Sequence, residues 1–144
     1  MKLIIDKGNT RTKVAVYKQK ELLSVTAVDC LEVNFIRELL SKYDVSATIF
    51  STVSGEEKEE VMSCLADNTT LFTMSEELLL PIQINYSPKN SLGKDRIAAI
   101  VGGYNMFPNE SVLVIDAGSC ICIDFIDSEG IYKGGSISLG FQMK

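Results

Sequence analysis

The sequence contains no histidine among its 144 residues, and this absence excludes several catalytic designs. Mechanisms that need an imidazole base, such as a Ser-His-Asp triad or a Cys-His pair, are not available to this chain. The chain does carry 19 aspartate and glutamate residues. Any general base is therefore expected to be a carboxylate.

Long hydrophobic runs and an excess of basic charge are also missing. No segment reaches the roughly 18 apolar residues that a membrane span needs. The apolar run at the N-terminus stops at Asp6, which is too short for a secretory signal. The net charge of -5 argues against a general nucleic-acid binder, because phosphate backbones need a basic surface. We expect a cytoplasmic protein whose partners are neither nucleic acids nor membranes.

The four cysteines do not follow a zinc-binding pattern. They are Cys30, Cys64, Cys120 and Cys122, and only the last two are close in sequence. We expect all four to be buried small side chains in a reducing compartment.

The hydrophobic pattern predicts strands that alternate with helices, which indicates an α/β fold. An antiparallel meander of three strands is expected to open the domain. The predicted strands are Leu3–Ile5, Lys13–Tyr17, Leu22–Val28, Ala47–Thr52, Thr70–Thr73, Val112–Ile115, Cys120–Ile126 and Ile131–Lys133, with an extended segment at Pro81–Tyr86. The predicted helices are Glu32–Tyr43, Glu56–Leu65 and Lys94–Met106, and the acidic run in the second is expected to be a solvated helix face.

Two segments of the chain repeat one another. The stretch Leu3–Asn9 aligns with Leu113–Ser119, and each is an apolar strand that ends in Asp-x-Gly and a small polar residue. A single Asp-x-Gly between strands is usually just a hairpin turn. Two copies, each directly after an apolar strand, favour a functional role.

Phosphate binding explains the arrangement of these two turns. A glycine in each turn would let backbone N–H groups approach phosphate oxygens. The aspartates cannot usefully touch phosphate directly, but they can hold a cation or its water that bridges to phosphate. Two such hairpins facing each other would grip a triphosphate from both sides.

Four blocks give the sequence a specific resemblance. They are Asp6-Lys7-Gly8-Asn9-Thr10, Ser91-Leu92-Gly93-Lys94-Asp95-Arg96-Ile97-Ala98-Ala99, Ile115-Asp116-Ala117-Gly118-Ser119 and Gly134-Gly135-Ser136-Ile137-Ser138-Leu139-Gly140. In their order and content they resemble the type III pantothenate kinase family, within the superfamily of acetate and sugar kinases, Hsp70 and actin. The Gly-x-Asp-Arg block at the start of a helix is the most discriminating of the four.

The resemblance implies an actin-like ATPase fold of the ribonuclease H-like kind, with duplicated lobes. Residues 1–110 would form the first lobe, with the phosphate hairpin and the catalytic helix, and residues 111–144 would begin the second. Family members continue well beyond this length, so the second lobe is expected to be truncated. We expect weak or absent turnover from these 144 residues alone.

The resemblance also implies a function: ATP-dependent phosphorylation of pantothenate to 4'-phosphopantothenate, the first step of coenzyme A biosynthesis, by a homodimer. Asp95 would be the general base, and Asp116 would bind a monovalent cation, K⁺ or NH₄⁺. A divalent cation, expected to be Mg²⁺, would accompany ATP. The ATP contacts would be Asp6, Lys7, Gly8, Asn9, Thr10, Arg11, Thr12, Lys13 and Ser119. The pantothenate contacts would be Tyr86, Gly93, Lys94, Asp95 and Arg96.

Residue chemistry supports these roles and leaves alternatives open. A carboxylate can orient an alcohol and accept its proton, and a guanidinium suits the carboxylate of pantothenate. Asp95 could instead cap its helix, and Arg96 could form a surface ion pair. Tyr86 could simply pack beneath its loop, and Lys94 could point to solvent.

Two other aspartates lie outside the motif blocks. Asp124 and Asp127 are expected to be strand-edge or turn residues without a role in the site. The competing functions for the chain are a non-catalytic relative of the Bvg accessory factors and an actin-like kinase for another small alcohol.

Overall fold

Short apolar segments between polar turns form the strands of this protein, and a computed structural model describes residues 1–8, 10–52, 57–75, 78–85 and 92–140. Nine strands and three helices occur within these ranges. In chain order they are β1 (Lys2–Lys7), β2 (Thr12–Lys18), β3 (Glu21–Val28), α1 (Val33–Lys42), β4 (Ala47–Thr52), α2 (Glu59–Asn68), β5 (Thr70–Thr73), β6 (Gln83–Ile84), α3 (Lys94–Met106), β7 (Val112–Ala117), β8 (Cys120–Ile126) and β9 (Ile131–Leu139).

Five strands form the first sheet, in the order β3-β2-β1-β4-β5. Strands β1, β2 and β3 pair antiparallel, which confirms the predicted meander, while β4 is parallel to both β1 and β5. The two parallel pairings arise because α1 and α2 are the crossover connections that parallel strands need. The predicted α/β class is confirmed.

One face of the first sheet carries a hydrophobic core. Alternate residues of a strand point to the same face, so Leu3 and Ile5 lie beside Val14 and Val16 of β2 and are fully buried. Helices α1 and α2 cover this face. The buried members of the core are Leu3, Ile5, Val14, Val16, Leu31, Ile36, Val45, Phe50, Val61, Cys64 and Leu65.

Four strands form the second sheet, in the order β6-β9-β8-β7. Strands β7, β8 and β9 are again an antiparallel meander, and β6 joins β9 in parallel. Helix α3 packs on one face. Gly103 lets it approach closely, because a Cβ there would lie 2.7 Å from a methyl group of Val114. The buried core here is Ile82, Leu92, Ile100, Ile126 and Tyr132.

The structure shifts both ends of α2, to Glu59–Asn68 from the predicted Glu56–Leu65, and the end of β9. Helix α2 begins at Glu59, three residues later than predicted, so Glu57 and Lys58 precede the helix and are not part of its solvated face. The negative charges of Glu59 and Glu60 then lie in the first turn, where the helix dipole favours them. Strand β9 continues to Leu139, well past the predicted end at Lys133, because it pairs with β8 along its whole length.

The chain divides into two compact units, Met1–Ser75 and Glu76–Lys144. Helix α3 therefore belongs with the second sheet, whereas the family resemblance groups it with the first lobe. The lobe boundary after residue 110 stays a prediction about the duplicated architecture.

Candidate active site

The turn between β1 and β2 has a closed hairpin geometry. The Gly8 N–H donates to the Arg11 carbonyl oxygen at 3.1 Å. A Cβ at Gly8 would lie 3.3 Å from the same oxygen. The Gly8 amide hydrogen therefore closes the turn. Asn9, also predicted to contact ATP, lies outside the described residues.

The predicted ATP-binding block is divided between the two faces of the first sheet. Asp6 pairs in register with Lys13 on β2 and with Ser51 on β4, so these three side chains share one face. Lys7 and Thr12 also pair in register and share the opposite face, which the two helices cover. A single bound phosphate could therefore meet only one of the two sets through side chains.

The Lys7 side chain also forms an ion pair. Its Nζ lies 3.0 Å from Oε2 of Glu57, and the Glu57 side chain is almost fully buried. A buried carboxylate needs a cation nearby, since removing either partner leaves an uncompensated buried charge. The Lys7 ammonium is thus held by Glu57 on the helix side of the sheet. The other basic side chain of the turn, Arg11, is exposed and lies 3.4 Å from Asp29, a pair of the kind that contributes little to stability.

The turn between β7 and β8 repeats this use of a glycine amide. The Gly118 N–H donates to the Cys120 carbonyl oxygen at 2.8 Å, and the Gly140 N–H donates to the Ser119 carbonyl oxygen at 2.9 Å. A Cβ at Gly140 would lie 2.6 Å from the latter oxygen, so only glycine fits beside this turn. Ser119 and Asp116 are both exposed.

The start of α3 presents the predicted general base. Gly93 is the N-cap residue, and Asp95 follows in the first turn, where a carboxylate is favoured by the helix dipole. The Asp95 Oδ1 atom accepts a hydrogen bond from the Arg96 N–H at 2.8 Å. A Cβ at Gly93 would lie 2.5 Å from that carboxylate oxygen. Asp95 is exposed, so its carboxylate both stabilises the turn and remains accessible to an alcohol.

Arg96 lies in a buried network that sequence reasoning missed. Its Nε and Nη2 atoms donate to the two oxygens of Asp124, at 3.0 and 2.5 Å. Tyr132 completes the network, since its hydroxyl donates to Asp124 Oδ1 at 2.7 Å and accepts from Arg96 Nη2 at 3.2 Å. Asp124 is only 2% exposed, and the Arg96 side chain is 13% exposed. The expectation of a strand-edge Asp124 is wrong, and so is the alternative of a surface ion pair at Arg96.

Alternation along β8 places Asp124 on the face opposite Ile123 and Phe125. Those two side chains are the more apolar, so the sequence pattern alone favours an exposed Asp124, whereas the structure exposes both of them and buries Asp124. A buried carboxylate is almost always paired. The hydrogen bonds to Asp124 raise the pKa of the Arg96 guanidinium above its ordinary value, although burial opposes them. Arg96 therefore stays charged at every physiological pH.

Two of the four cysteines have the buried structural role expected for them. Cys122 is buried, and burial raises the pKa of its thiol. Cys64 is also buried, whereas Cys30 is exposed and its thiol donates to Glu32 Oε1 at 3.1 Å. The expectation of burial is therefore wrong for Cys30, and Cys120 is only half-buried.

Two further features of the described ranges bear on function. Within these ranges, the cysteine, aspartate and glutamate side chains form no group of three or more that could hold a metal ion. Among the helices in the same ranges, none is both long and apolar enough to cross a bilayer. Tyr86 lies outside the described residues, as does most of the loop that leads to Gly93.

Comparisons with solved structures support the fold. A Campylobacter jejuni protein described as a Baf family transcriptional activator matches with a TM-score of 0.53 at 24% identity, over 98% of this chain and 56% of that one. The Aquifex aeolicus Ppx/GppA phosphatase, in the structure of its type II variant, matches with a TM-score of 0.52 at 14% identity, over 94% of this chain and 51% of that one. At these identities only the fold is shared, and it is the predicted actin-like ATPase fold.

Sequence comparisons identify the family. The chain is 34% identical to a type III pantothenate kinase of Azobacteroides pseudotrichonymphae over 145 residues, covering 100% of this chain and 59% of the relative. It is 36% identical to that of Phocaeicola vulgatus over 149 residues, covering 100% of this chain and 60% of the relative. The chain thus spans about three fifths of the length of these curated relatives. The family model for type III pantothenate kinase matches residues 2–144, and the chain belongs to this family.

Proposed function

We propose that the protein containing this chain transfers the γ-phosphoryl group of ATP to the hydroxyl of pantothenate, giving 4'-phosphopantothenate for coenzyme A biosynthesis. Membership of the type III pantothenate kinase family supports the reaction. The observation that carries it is the exposed Asp95 carboxylate at the start of α3, next to an arginine anchored by a buried ion pair. In phosphoryl transfer a protein mainly positions groups and offsets charge, and this turn has the parts to do both.

Asp95 is the proposed general base. Its carboxylate is held by the Arg96 backbone N–H, which fixes its direction without neutralising its charge. A carboxylate in this position can accept a hydrogen bond from the acceptor alcohol and take its proton as the bond to phosphorus forms.

Gly93, Lys94 and Arg96 are the proposed contacts for pantothenate, together with Tyr86. Arg96 supplies a permanent positive charge and donors for the carboxylate of this substrate. Lys94 is partly exposed in the same turn, which agrees with a second positive charge for the same anion. Gly93 leaves the space that the Asp95 carboxylate occupies.

The two hairpins are the proposed ATP contacts. Asp6 and Lys13 share one face of the first sheet, so an acid that can hold a cation adjoins a base that can meet phosphate. The remaining proposed contacts are Lys7, Gly8, Asn9, Thr10, Arg11, Thr12 and Ser119. A divalent cation, which we propose to be Mg²⁺, supplies positive charge between phosphate oxygens when it is bound.

Asp116 is the proposed ligand for a monovalent cation, K⁺ or NH₄⁺. The donor chemistry fits, because hard cations prefer carboxylate and carbonyl oxygens. Asp116 is exposed at the end of β7 and is followed by the Gly118–Ser119 turn. We further propose a homodimer that acts in the cytoplasm, as the family resemblance implies.

Replacement of Asp95 by asparagine in the intact protein tests the catalytic assignment. The asparagine keeps an oxygen for the Arg96 N–H but cannot accept a proton, so kcat should fall by about 10²- to 10⁴-fold while the melting temperature stays close to that of the parent. The matched control is Asp67→Asn, since Asp67 is an exposed carboxylate on α2. Near-normal turnover by the Asp95→Asn protein would remove Asp95 from the role of base.

A screen of acceptor alcohols with labelled ATP tests the substrate. Pantothenate should be phosphorylated well above other small alcohols, and omission of K⁺ and NH₄⁺ should lower the rate. Preferential phosphorylation of a different alcohol would favour another actin-like kinase. No ATP turnover with any acceptor would favour a non-catalytic relative.

A further inference from the structure

The buried network of Arg96, Asp124 and Tyr132 extends beyond the groups that the proposed chemistry uses. We propose that Asp124 is a positioning residue: it holds the Arg96 guanidinium so that the two Nη1 hydrogens are the ones offered to the carboxylate of the acceptor. The identity of the acceptor rests on the proposed function, whereas the role of Asp124 comes from the contacts within the second unit.

A count of hydrogen-bond donors supports this assignment. An arginine carries five N–H donors in a planar fork. The Nε hydrogen is directed at Asp124 Oδ2, and Nη2 is directed at both Asp124 Oδ1 and the Tyr132 hydroxyl. Three donors are therefore engaged, and the two hydrogens that remain are on Nη1. Within the contacts of the described residues, Nη1 is the edge available to a ligand.

Burial makes this orientation rigid. Asp124 and Tyr132 are each 2% exposed, and a buried ion pair resists separation because the charge left behind is uncompensated. The Tyr132 hydroxyl donates to Asp124 and accepts from Arg96, so each of the three groups is held by the other two. Such a closed network favours one side-chain arrangement over the alternatives.

Gly135 makes room for the network. A Cβ at Gly135 would lie 2.8 Å from Arg96 Nη2 and would collide with the Asp124 carboxylate. The neighbouring Gly134 offers a contrast, because a Cβ there would meet nothing within 4 Å. Bulk at position 135 is thus excluded by the ion pair and also by the Ile123 carbonyl oxygen, which such a Cβ would approach equally closely.

The network also reaches the proposed base. The Arg96 backbone N–H donates to Asp95, and the Arg96 side chain is fixed to β8 through Asp124. Anchoring one residue therefore anchors both the acceptor-binding cation and the carboxylate beside it. Positional errors of about 1 Å can lower a rate 10²-fold, which gives this anchoring a functional consequence.

Asp124→Asn in the intact protein is the principal test. The asparagine NH₂ group would face an arginine donor, so Arg96 should be displaced and the KM for pantothenate should rise about tenfold, with the KM for ATP unchanged. Asp127→Asn is the matched control, because Asp127, in the turn that joins β8 to β9, is also ion-paired, to Lys133 at 2.7 Å. The control should show no change in acceptor KM.

A purely structural role predicts a different result. It would lower the melting temperature and the fraction of active enzyme but leave the acceptor KM of the remaining enzyme unchanged, and that outcome would overturn the inference. Tyr132→Phe provides a second variant in case Asp124→Asn does not fold. It retains the ion pair and should raise the acceptor KM about threefold, and an unchanged KM would again overturn the inference.

The two proposals fail in distinguishable ways. If the parent protein phosphorylates pantothenate and the Asp124 and Tyr132 variants keep its acceptor KM, only the positioning role is wrong. If the parent protein does not phosphorylate pantothenate under any cation condition, the proposed function is wrong, and the assignment of Nη1 to that substrate is overturned with it.

Discussion

The two copies of the strand–Asp-x-Gly repeat differ most in how their apolar side chains are covered. Leu3 and Ile5 of β1 are 0% exposed, whereas their counterparts on β7, Leu113 and Ile115, are 58% and 61% exposed. The two segments, Leu3–Asn9 and Leu113–Ser119, share four of seven residues, including both of the compared apolar positions. What surrounds the two strands therefore decides the burial, and the strands themselves do not.

Chain connectivity explains the difference. Strand β1 is central in its sheet, with β2 on one side and β4 on the other, and α1 and α2 cover its apolar face. Strand β7 lies at the edge of the second sheet, and α3 packs on the face opposite Leu113. Leu113 and Ile115 pair with Phe125 and Ile123, which are also exposed. The sequence of an apolar strand thus predicts an apolar face, but it does not predict which helix or strand will bury that face.

The aspartates of the two turns differ in the same way. Asp6 is partly buried between the neighbouring strands that carry Lys13 and Ser51. Ser51 Oγ is buried without a hydrogen-bond partner among the described residues. Asp116 is exposed on its edge strand. A polar group enclosed by neighbours is more constrained than one at a sheet edge, so the two aspartates should respond differently to substitution.

Removing the equivalent leucine from each copy should produce the largest contrast. Leu3→Ala should lower the free energy of unfolding by about 2–5 kcal/mol, since it leaves a cavity in a close-packed core. Leu113→Ala should change it by less than about 0.5 kcal/mol because the side chain is exposed. Urea unfolding of both variants measures the difference. Equal losses would mean that the Leu113 face is covered in solution.

Asparagine at the two aspartate positions should separate their roles in the intact protein. Asp6→Asn should lower kcat about 100-fold by removing a charge that organises the phosphates. Asp116→Asn should instead raise the K⁺ concentration needed for half-maximal rate, so that high K⁺ restores activity. Rate measurements across a K⁺ series test this contrast, with Asp67→Asn as the control. Recovery of Asp6→Asn by K⁺ would show that the assignment of the cation to Asp116 is wrong.

The glycines beside the two turns offer a third contrast. Gly140→Ala should lower the free energy of unfolding by about 1–3 kcal/mol, because its Cβ would overlap the Gly118–Ser119 turn. Gly8→Ala should lower the free energy of unfolding by a smaller amount, since the nearest atom to the new Cβ is 3.3 Å away and belongs to an exposed turn. Thermal unfolding ranks the two variants. A larger loss at Gly8 would mean that its turn is the tighter one.

The smallest expected effect concerns the last turn of each meander. Hydrogen bonds from Lys133 and from the Ile131 backbone lower the pKa of Asp127. A lowered pKa contributes stability above the ordinary value of about 3.9 and loses it as the pH falls through the lowered value. Asp127→Asn should therefore be less stable than the parent at pH 7 and equal to it in strong acid.

The first meander supplies the control for this pH dependence. Its corresponding turn contains Gln19 and Lys20 and has no carboxylate. Lys20→Gln should leave the difference in melting temperature between pH 7 and pH 3 unchanged. A constant gap between Asp127→Asn and its parent across this pH range would contradict the proposed coupling.

Sequence reasoning located most elements because their hydrophobic periodicity is local. Strands β4, β5 and β8 and helix α3 have the predicted bounds. The start of α2 and the end of β9 were misplaced, since a run of glutamates resembles a helix face and a pair of glycines resembles a turn. Pairing with β8 along its whole length carries β9 through Gly134 and Gly135.

The candidate site was only partly accessible from sequence. The motif residues Asp95 and Arg96 could be named because they are contiguous. The residues that hold the Arg96 side chain could not be named in this way, because Asp124 and Tyr132 lie 28 and 36 residues beyond it. Nor did the sequence separate Asp6 from Lys7, because the predicted strand ended at Ile5, whereas β1 extends to Lys7 and so places the two side chains on opposite faces.

The sequence by itself determined the α/β class, the repeated strand–Asp-x-Gly unit and the residues of the helix turn that carries Asp95. These follow from local periodicity and turn chemistry, which act over a few residues. The tertiary structure decided which copy of the repeat is buried, that Lys7 pairs with Glu57, and that Arg96 is held by Asp124. Those outcomes depend on contacts between distant segments, whose free energy is gained only when the sheets and helices pack together.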